Sequence, residues 1–283
     1  MDTSMTSRTV GCAPRFVLAL GILWAGSGHL CASEPPLLVL HGAAVFDSVA
    51  GRFVADRTIV IEGDRIRSVS SAVAAPPSGA RLLDCRGKFV LPGLIDAHVH
   101  LVHLANRSHV TGDQFLPLFL ANGVTSVRDA GVACVPRRMR DYWHSYRQES
   151  ALAAETRDVR RGEFRKYQEL TGLLHRAGVP LLVGTDTPEP FVPPGSSLHG
   201  ELELLVASGL SPADVLSAAT WQNARAMNQQ DRLGTVEPGK LADLVILNAD
   251  PTSDIRNTRQ IFAVVRGGLV CDLAAARRAV PVE

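Results

Sequence analysis

The sequence predicts an α/β protein in which a small β-structure built from both chain ends accompanies a layer of alternating strands and helices. Three observations predict this. Short β-prone stretches broken by Gly, Pro and Asp turns recur at both ends. A continuous apolar run, VPLLVGTD at 179–186, has the texture of a fully buried parallel strand. Helix-prone segments flank that run, and strands alternating with helices imply an α/β layer.

Taken in chain order, the first element reads as an export signal. Arg8 and Arg15 precede an apolar run from Phe16 to Gly26, and the small residues around Cys31, Ala32 and Ser33 suit a signal peptidase. A run of about 11 residues falls well short of the roughly 20 that a spanning helix needs, so residues 1–33 are expected to be removed on export, to the periplasm or outside the cell. A buried N-terminal helix is the plainer alternative. Gly28, His29 and Leu30 make Cys31 a poor lipidation site, so no stable membrane anchor is expected.

The first sheet region runs from Leu37, with LLVLHGAAVFD at 37–47 followed by TIVIEGDRIRSV at 58–69, where Gly63 and Asp64 form a tight turn. After the turn-forming AAPPSGA at 74–80, RLLDCRGKFVLPGLIDAHVHL at 81–101 runs from strand to strand through Gly87 and Pro92. GVTSVRDAG at 123–131 is a short buried-strand candidate, and residues 141–177 are charged and helix-prone. Beyond VPLLVGTD, one helix is expected over roughly His199–Ser208. A second starts with Ser211 as N-cap, Pro212 at the first helical position and Asp214 three residues after the cap. GTVEPGKLADLVILNADP at 234–251 and IFAVVRGGLV at 261–270 return to strands with Gly and Pro turns.

Length and charge bound the function. With 283 residues and 46% hydrophobic content, the chain can bury a large domain or two smaller ones. Lys plus Arg number 29 against 28 Asp plus Glu, which gives no field of the kind that draws nucleic acid or anionic lipid, so a small, roughly neutral substrate is expected. Cys85, Cys134 and Cys271 follow neither a disulfide nor a zinc-cluster spacing.

The chemistry gathers at two strand ends. His98 and His100 are two residues apart in LIDAHVHL, so on a strand both imidazoles project from one face and can share a metal. Neutral imidazoles suit zinc or a similar divalent ion, which polarises a carbonyl and acidifies bound water. An HxH pair alone is a weak signal, and His103 and His109 read as loop residues. Asp186 closes the VPLLVGTD run, where the polar end of a buried parallel strand opens onto the active face of an α/β fold. An ionised carboxylate there can bind metal and take a proton from an attacking water; a turn or cap aspartate is the bland reading.

VLPGLIDAHVHL at 90–101, GVTSVRDAG, VPLLVGTD and LGTVEPGKLADLVIL at 233–247, in this order, resemble the amidohydrolase superfamily, most closely its imidazolonepropionase-like and prolidase-like branch. The resemblance covers about residues 37–132 and 160–272. It implies a (β/α)8 barrel beside a β-sandwich made from both chain ends: residues 34–90 and 233–275 for the sandwich, 91–232 for the barrel. It also implies that His98 and His100 are metal ligands from the first barrel strand, with Asp186 the metal-binding general base of the last.

The chain departs from that pattern. The family also uses a lysine or glutamate on a middle strand and a histidine from each of the next two strands, and no residue here matches them. His98 and Asp186 are only about 90 residues apart, room for roughly three strand-helix units, whereas a full barrel takes about 250 residues. The barrel is therefore expected to be truncated, with the join near Cys134–Arg138. His144, His175 and Lys166 lie in the helix-prone stretch and match strand-end ligands poorly. His199 either contacts substrate or is an ordinary residue at a helix start, and Thr185 and Thr187 flank Asp186 as supporting partners. The resemblance implies a metal-dependent hydrolase of C–N bonds in amides, cyclic amides or dipeptides. An inactive remnant serving as a binding protein is the alternative. An open sheet of three strands leaves edges bare, and a homo-oligomer would cover them.

Overall fold

The computed structural model describes residues 37–71, 79–101, 112–130, 154–187 and 192–278. The export segment, Cys31, Cys134, His103, His109, His144 and the expected join lie outside the described residues.

Ten strands follow the β-prone stretches: β1 Leu37–Asp47, β2 Arg52–Glu62, β3 Arg65–Ser71, β4 Arg81–Asp84, β5 Phe89–Pro92, β6 Leu94–Val99, β7 Val124–Asp129, β8 Leu244–Leu247, β9 Ile261–Arg266 and β10 Leu269–Val270. Eight form one sheet in the order β10-β9-β8-β5-β1-β2-β3, with β4 beside β1. Strands from the two chain ends meet where β5 pairs antiparallel with β8, Phe89 facing Leu247 and Pro92 facing Leu244. The expected sandwich is thus realised as one hydrogen-bonded sheet folded over its own core. Leu38, Leu40, Ile59, Ile61, Ile66, Val90, Ile246 and Val265 all bury into one cluster. The fold-over is tied where Ile66 N–H donates to the Lys240 carbonyl at 2.9 Å and Ala242 N–H to the Asp64 carbonyl at 2.8 Å.

The central strands bury both faces. Leu91, Val245, Leu247 and Val264 alternate with the residues of the first cluster and enter a second one with Phe119, Val183, Leu198, Leu202 and Val215. That second core joins the sheet to the α/β layer. The helices there are α1 Leu116–Ala121, α2 Ala154–Arg176, α3 Ser196–Ala207 and α4 Pro212–Ser217. The α4 start is as the sequence predicts: the Ser211 hydroxyl accepts from the Asp214 N–H at 3.1 Å, with Pro212 opening the helix. A π-helical turn over Ala218–Gln222 follows and delivers Asn223.

The α/β layer holds three parallel extended segments. β6 pairs with β7 on one side, and residues 181–187 lie along its other side, bonded through Ala97 N–H to Val183 O at 3.0 Å and His100 N–H to Thr187 O at 2.8 Å. The expected strand at VPLLVGTD is therefore extended and parallel, though its ladder is irregular. Among the described residues these segments form part of a barrel wall and do not close a barrel, in keeping with the short span from His98 to Asp186. The α2 helix takes up the described part of the charged stretch, and its Phe164, Tyr167, Leu170 and Leu173 are exposed, as is Leu182 on the neighbouring segment. No helix among the described residues is long and apolar enough to cross a membrane.

Candidate metal centre

The chain passes from the large sheet into the site through one residue. β5 ends at Pro92, Gly93 N–H donates to the Asp243 carbonyl at 2.7 Å, and β6 begins at Leu94. Thr125 presses against Gly93 so closely that a side chain there would collide with the Thr125 hydroxyl. The direction of β6 is thus set by packing at its first residue.

At the far end of β6, His98 and His100 face one way, as strand alternation requires, and Asp186 meets them from the neighbouring segment. His100 Nε2 lies 2.8 Å from Asp186 Oδ1, His98 Nε2 lies 3.4 Å from the same oxygen, and the two Nε2 atoms are 3.1 Å apart. The three side chains are 24%, 48% and 58% exposed respectively for His100, His98 and Asp186, so the cluster opens to solvent. Burial is the main influence lowering the His98 pKa below its ordinary value; the Asp186 charge opposes it, and His100 and Arg128 reinforce it. A neutral imidazole with its lone pair turned toward a second imidazole and a carboxylate is the donor set a divalent cation takes. Among the described residues this is the one group of His, Cys, Asp or Glu whose ligand atoms come together, all within 4.8 Å.

Asp186 reaches the histidines from a left-handed backbone, with φ at 61°. Asp tolerates that region better than most side chains, yet it costs energy, and such strain collects at functional sites. The turn breaks the strand ladder. In a regular parallel pair the Thr185 N–H would donate to the Ala97 carbonyl, following the Ala97–Val183 bond. Here it donates to Asp96 Oδ1 at 3.1 Å, and the Asp186 N–H donates to the His98 carbonyl at 2.8 Å. The Thr185 hydroxyl donates to Asp96 Oδ2 at 2.7 Å, and the His98 N–H to Oδ1 at 3.2 Å. Asp96 is fully buried. Burial pushes its carboxyl up to about 6, against the pull of the Thr185 and His98 hydrogen bonds and with a further push from the Asp186 charge.

The Thr185 hydroxyl also accepts from the Thr187 N–H at 3.2 Å, and the Thr187 hydroxyl donates to the Val192 carbonyl at 2.7 Å. Both threonines therefore hold the Asp186 segment, the supporting role expected of them. His199 lies elsewhere. It sits in the first turn of α3 with 1% exposure, its Nδ1 3.0 Å from the Thr258 hydroxyl. Burial, aided by the Arg259 charge and opposed by the Asn122 peptide, lowers it to about 4. A ring so enclosed fits the ordinary packing role, one of the two that the sequence leaves open. His175 stands 3.6 Å from Asp214 at the other end of the layer, and Lys166 is exposed on α2. A cavity of 580 Å³ lined by Leu181, Leu182, Trp221 and Arg225 opens near the start of the 181–187 segment, with none of the three cluster residues in its wall.

Sequence reasoning passes over Asp96 and Asn223. Asp96 carried a usable signal, since it shares the face of His98 and His100 in an otherwise apolar strand. Asn223 carried none, because only the π-helical turn directs it at the strands.

Residues 165–270 match the model of the amidohydrolase family. An adenine deaminase of Rhizobium johnstonii is 35% identical over 96 residues, 34% of this chain and 15% of that protein. An imidazolonepropionase of Aromatoleum aromaticum is 42% identical over 83 residues, 29% of this chain and 20% of that protein. The chain thus matches a fifth or less of the length of these curated relatives. A solved structure of molinate hydrolase superposes with a TM-score of 0.63 at 17% identity, covering 86% of this chain and 96% of that one, a likeness of fold.

Proposed function

From the match of residues 165–270 to the amidohydrolase family model we propose that the chain is an amidohydrolase that hydrolyses a C–N bond in a small amide, cyclic amide or dipeptide, using a divalent ion held by His98, His100 and Asp186. The observation that carries the reading is the convergence of Asp186 Oδ1 on both imidazoles, 2.8 Å from one and 3.4 Å from the other. A divalent ion, zinc in this proposal, supplies Lewis acidity and a bound water of lowered pKa. His98 and His100 offer imidazole nitrogen donors from the end of a single strand. Asp186 accepts the proton released as water adds to the carbonyl carbon, and returns it to the nitrogen as the C–N bond breaks. The products are a carboxylic acid and an amine. In this reading residues 1–33 are removed on export to the periplasm or beyond.

The competing reading is a binding relative without turnover. It is favoured by the donor count: among the described residues three side chains converge, and no further histidine, cysteine, aspartate or glutamate joins them. Metal analysis by mass spectrometry of the purified chain, beside a His98→Ala, His100→Ala double variant, separates the two. About one zinc per chain, absent from the variant, supports the hydrolase and justifies a screen of amides and dipeptides. Folded protein without stoichiometric metal sinks the metal-dependent reading.

A further inference from the structure

We propose that Asp96 is the positioning residue of the metal centre: its buried carboxylate replaces a backbone acceptor in the broken ladder and so fixes where Asp186 stands relative to His98 and His100. This inference rests on the metal-binding reading above.

The argument begins with the strand irregularity. Between the bond from Ala97 N–H to Val183 O and the bond from His100 N–H to Thr187 O, β6 advances three residues while its neighbour advances four. The extra length is the left-handed step at Asp186, with φ at 61°, and it carries the Thr185 N–H past the carbonyl that would have received it. A buried N–H without an acceptor costs about 1–3 kcal/mol, enough to favour a different register. Asp96 Oδ1 takes that N–H and the His98 N–H together, at 3.1 and 3.2 Å. One oxygen thereby connects the residue before Asp186 to the peptide of His98. Oδ2 takes the Thr185 hydroxyl at 2.7 Å, which fixes the carboxylate plane. The hydrogen bonds of Asp96 go to the His98 and Thr185 N–H groups and the Thr185 hydroxyl, not to an imidazole nitrogen or the Asp186 carboxylate, so it acts through position.

The bond pattern distinguishes substitutions. Asparagine keeps the Oδ1 acceptor for both N–H groups, and the Thr185 hydroxyl can rotate to accept from the new amide. Alanine removes all three bonds. Thr185→Val removes the hydroxyl bond to Oδ2 and the bond that the hydroxyl accepts from the Thr187 N–H, and leaves the two N–H bonds to Oδ1.

The test is a cobalt titration of the full chain, followed by the visible d–d absorption of the bound ion, with amide hydrogen exchange at Thr185 and His98 measured on metal-free protein. Asp96→Ala is expected to weaken cobalt binding by about 10–100-fold and to change the absorption band, while Asp96→Asn stays near the parent in both. Thr185→Val is expected to weaken binding by up to about tenfold, and it serves if Asp96→Ala does not fold. A folded Asp96→Ala, or Thr185→Val in its place, with parent affinity and an unchanged band overturns the proposal. Should the parent chain bind no cobalt, the metal reading fails by itself. The clamp is then read from hydrogen exchange: faster exchange at both amides in Asp96→Ala supports it, and unchanged exchange overturns it.

Discussion

Asn223 and Val183 are joined by a reciprocal pair of hydrogen bonds: the Val183 N–H donates to Asn223 Oδ1 at 3.1 Å, and Asn223 Nδ2 donates to the Val183 carbonyl at 2.8 Å. The same Nδ2 donates to the Ile95 carbonyl at 2.8 Å, so a side-chain amide behaves as a short length of strand between two real ones. Asn223 is fully buried, and water cannot take over its bonds. Asn223→Ala is therefore expected to cost roughly 2–4 kcal/mol, by leaving the Val183 N–H without an acceptor. Asn223→Asp keeps one acceptor and loses both donors. Urea denaturation checks both, and a loss within experimental error for either would show that the amide is dispensable.

Gly184 permits the close approach of the two segments that carry the metal ligands. A methyl group there would stand 2.7 Å from His98 Cβ and 2.9 Å from the His98 nitrogen, too close without movement of β6. Gly184→Ala is expected to cost roughly 1–3 kcal/mol through overpacking and to weaken metal binding by displacing His98. Thermal melting and metal content measured together decide this. A variant with an unchanged melting temperature and full metal content refutes it.

His199 makes stability depend on pH in a defined direction. Its pKa falls from an ordinary 6.5 in the unfolded chain to about 4 in the fold, because burial disfavours the cation. Between those values the unfolded chain holds the proton and the folded one does not, so acidification favours unfolding. The contribution is absent above the unfolded pKa, grows as pH falls through the window and is complete below about 4, on the order of 3 kcal/mol. His199→Gln removes it. Comparing urea midpoints at pH 7 and pH 4.5, the parent should lose more stability than the variant, and equal losses would contradict the assignment.

The sequence made much of this legible where local rules govern. Ser211, Pro212 and Asp214 mark a helix start because capping is local chemistry, and the structure places the cap bond there. The two-residue spacing of His98 and His100 gives a shared face because strand alternation is local too. The apolar run ending at Asp186 identifies an extended segment for the same reason. The interruption of the ladder at Thr185 was not legible, because it depends on how two distant segments align. The single continuous sheet was equally hidden: strand texture locates β5 and β8, but their register and the fold-over of β3 toward Lys240 arise from tertiary packing. His199 shows the limit from the other side. A histidine after a strand and at a helix start reads alike whether its ring turns to a site or to the core, and packing against Thr258 decides the matter.

The pairing of Phe89 with Leu247 places the seam of the large sheet between strands made early and late in synthesis. The chain must therefore be made past β8 before that seam can form, and until then β5 lacks the neighbour that covers its edge. The entropy of bringing the two partners together grows only logarithmically with the chain between them, by about 0.6 kcal/mol for each doubling. Lengthening or shortening that intervening chain alters the closure entropy little, so the same seam can tolerate a catalytic segment of very different size, while mutations at the seam would be felt in how fast the newly made protein matures.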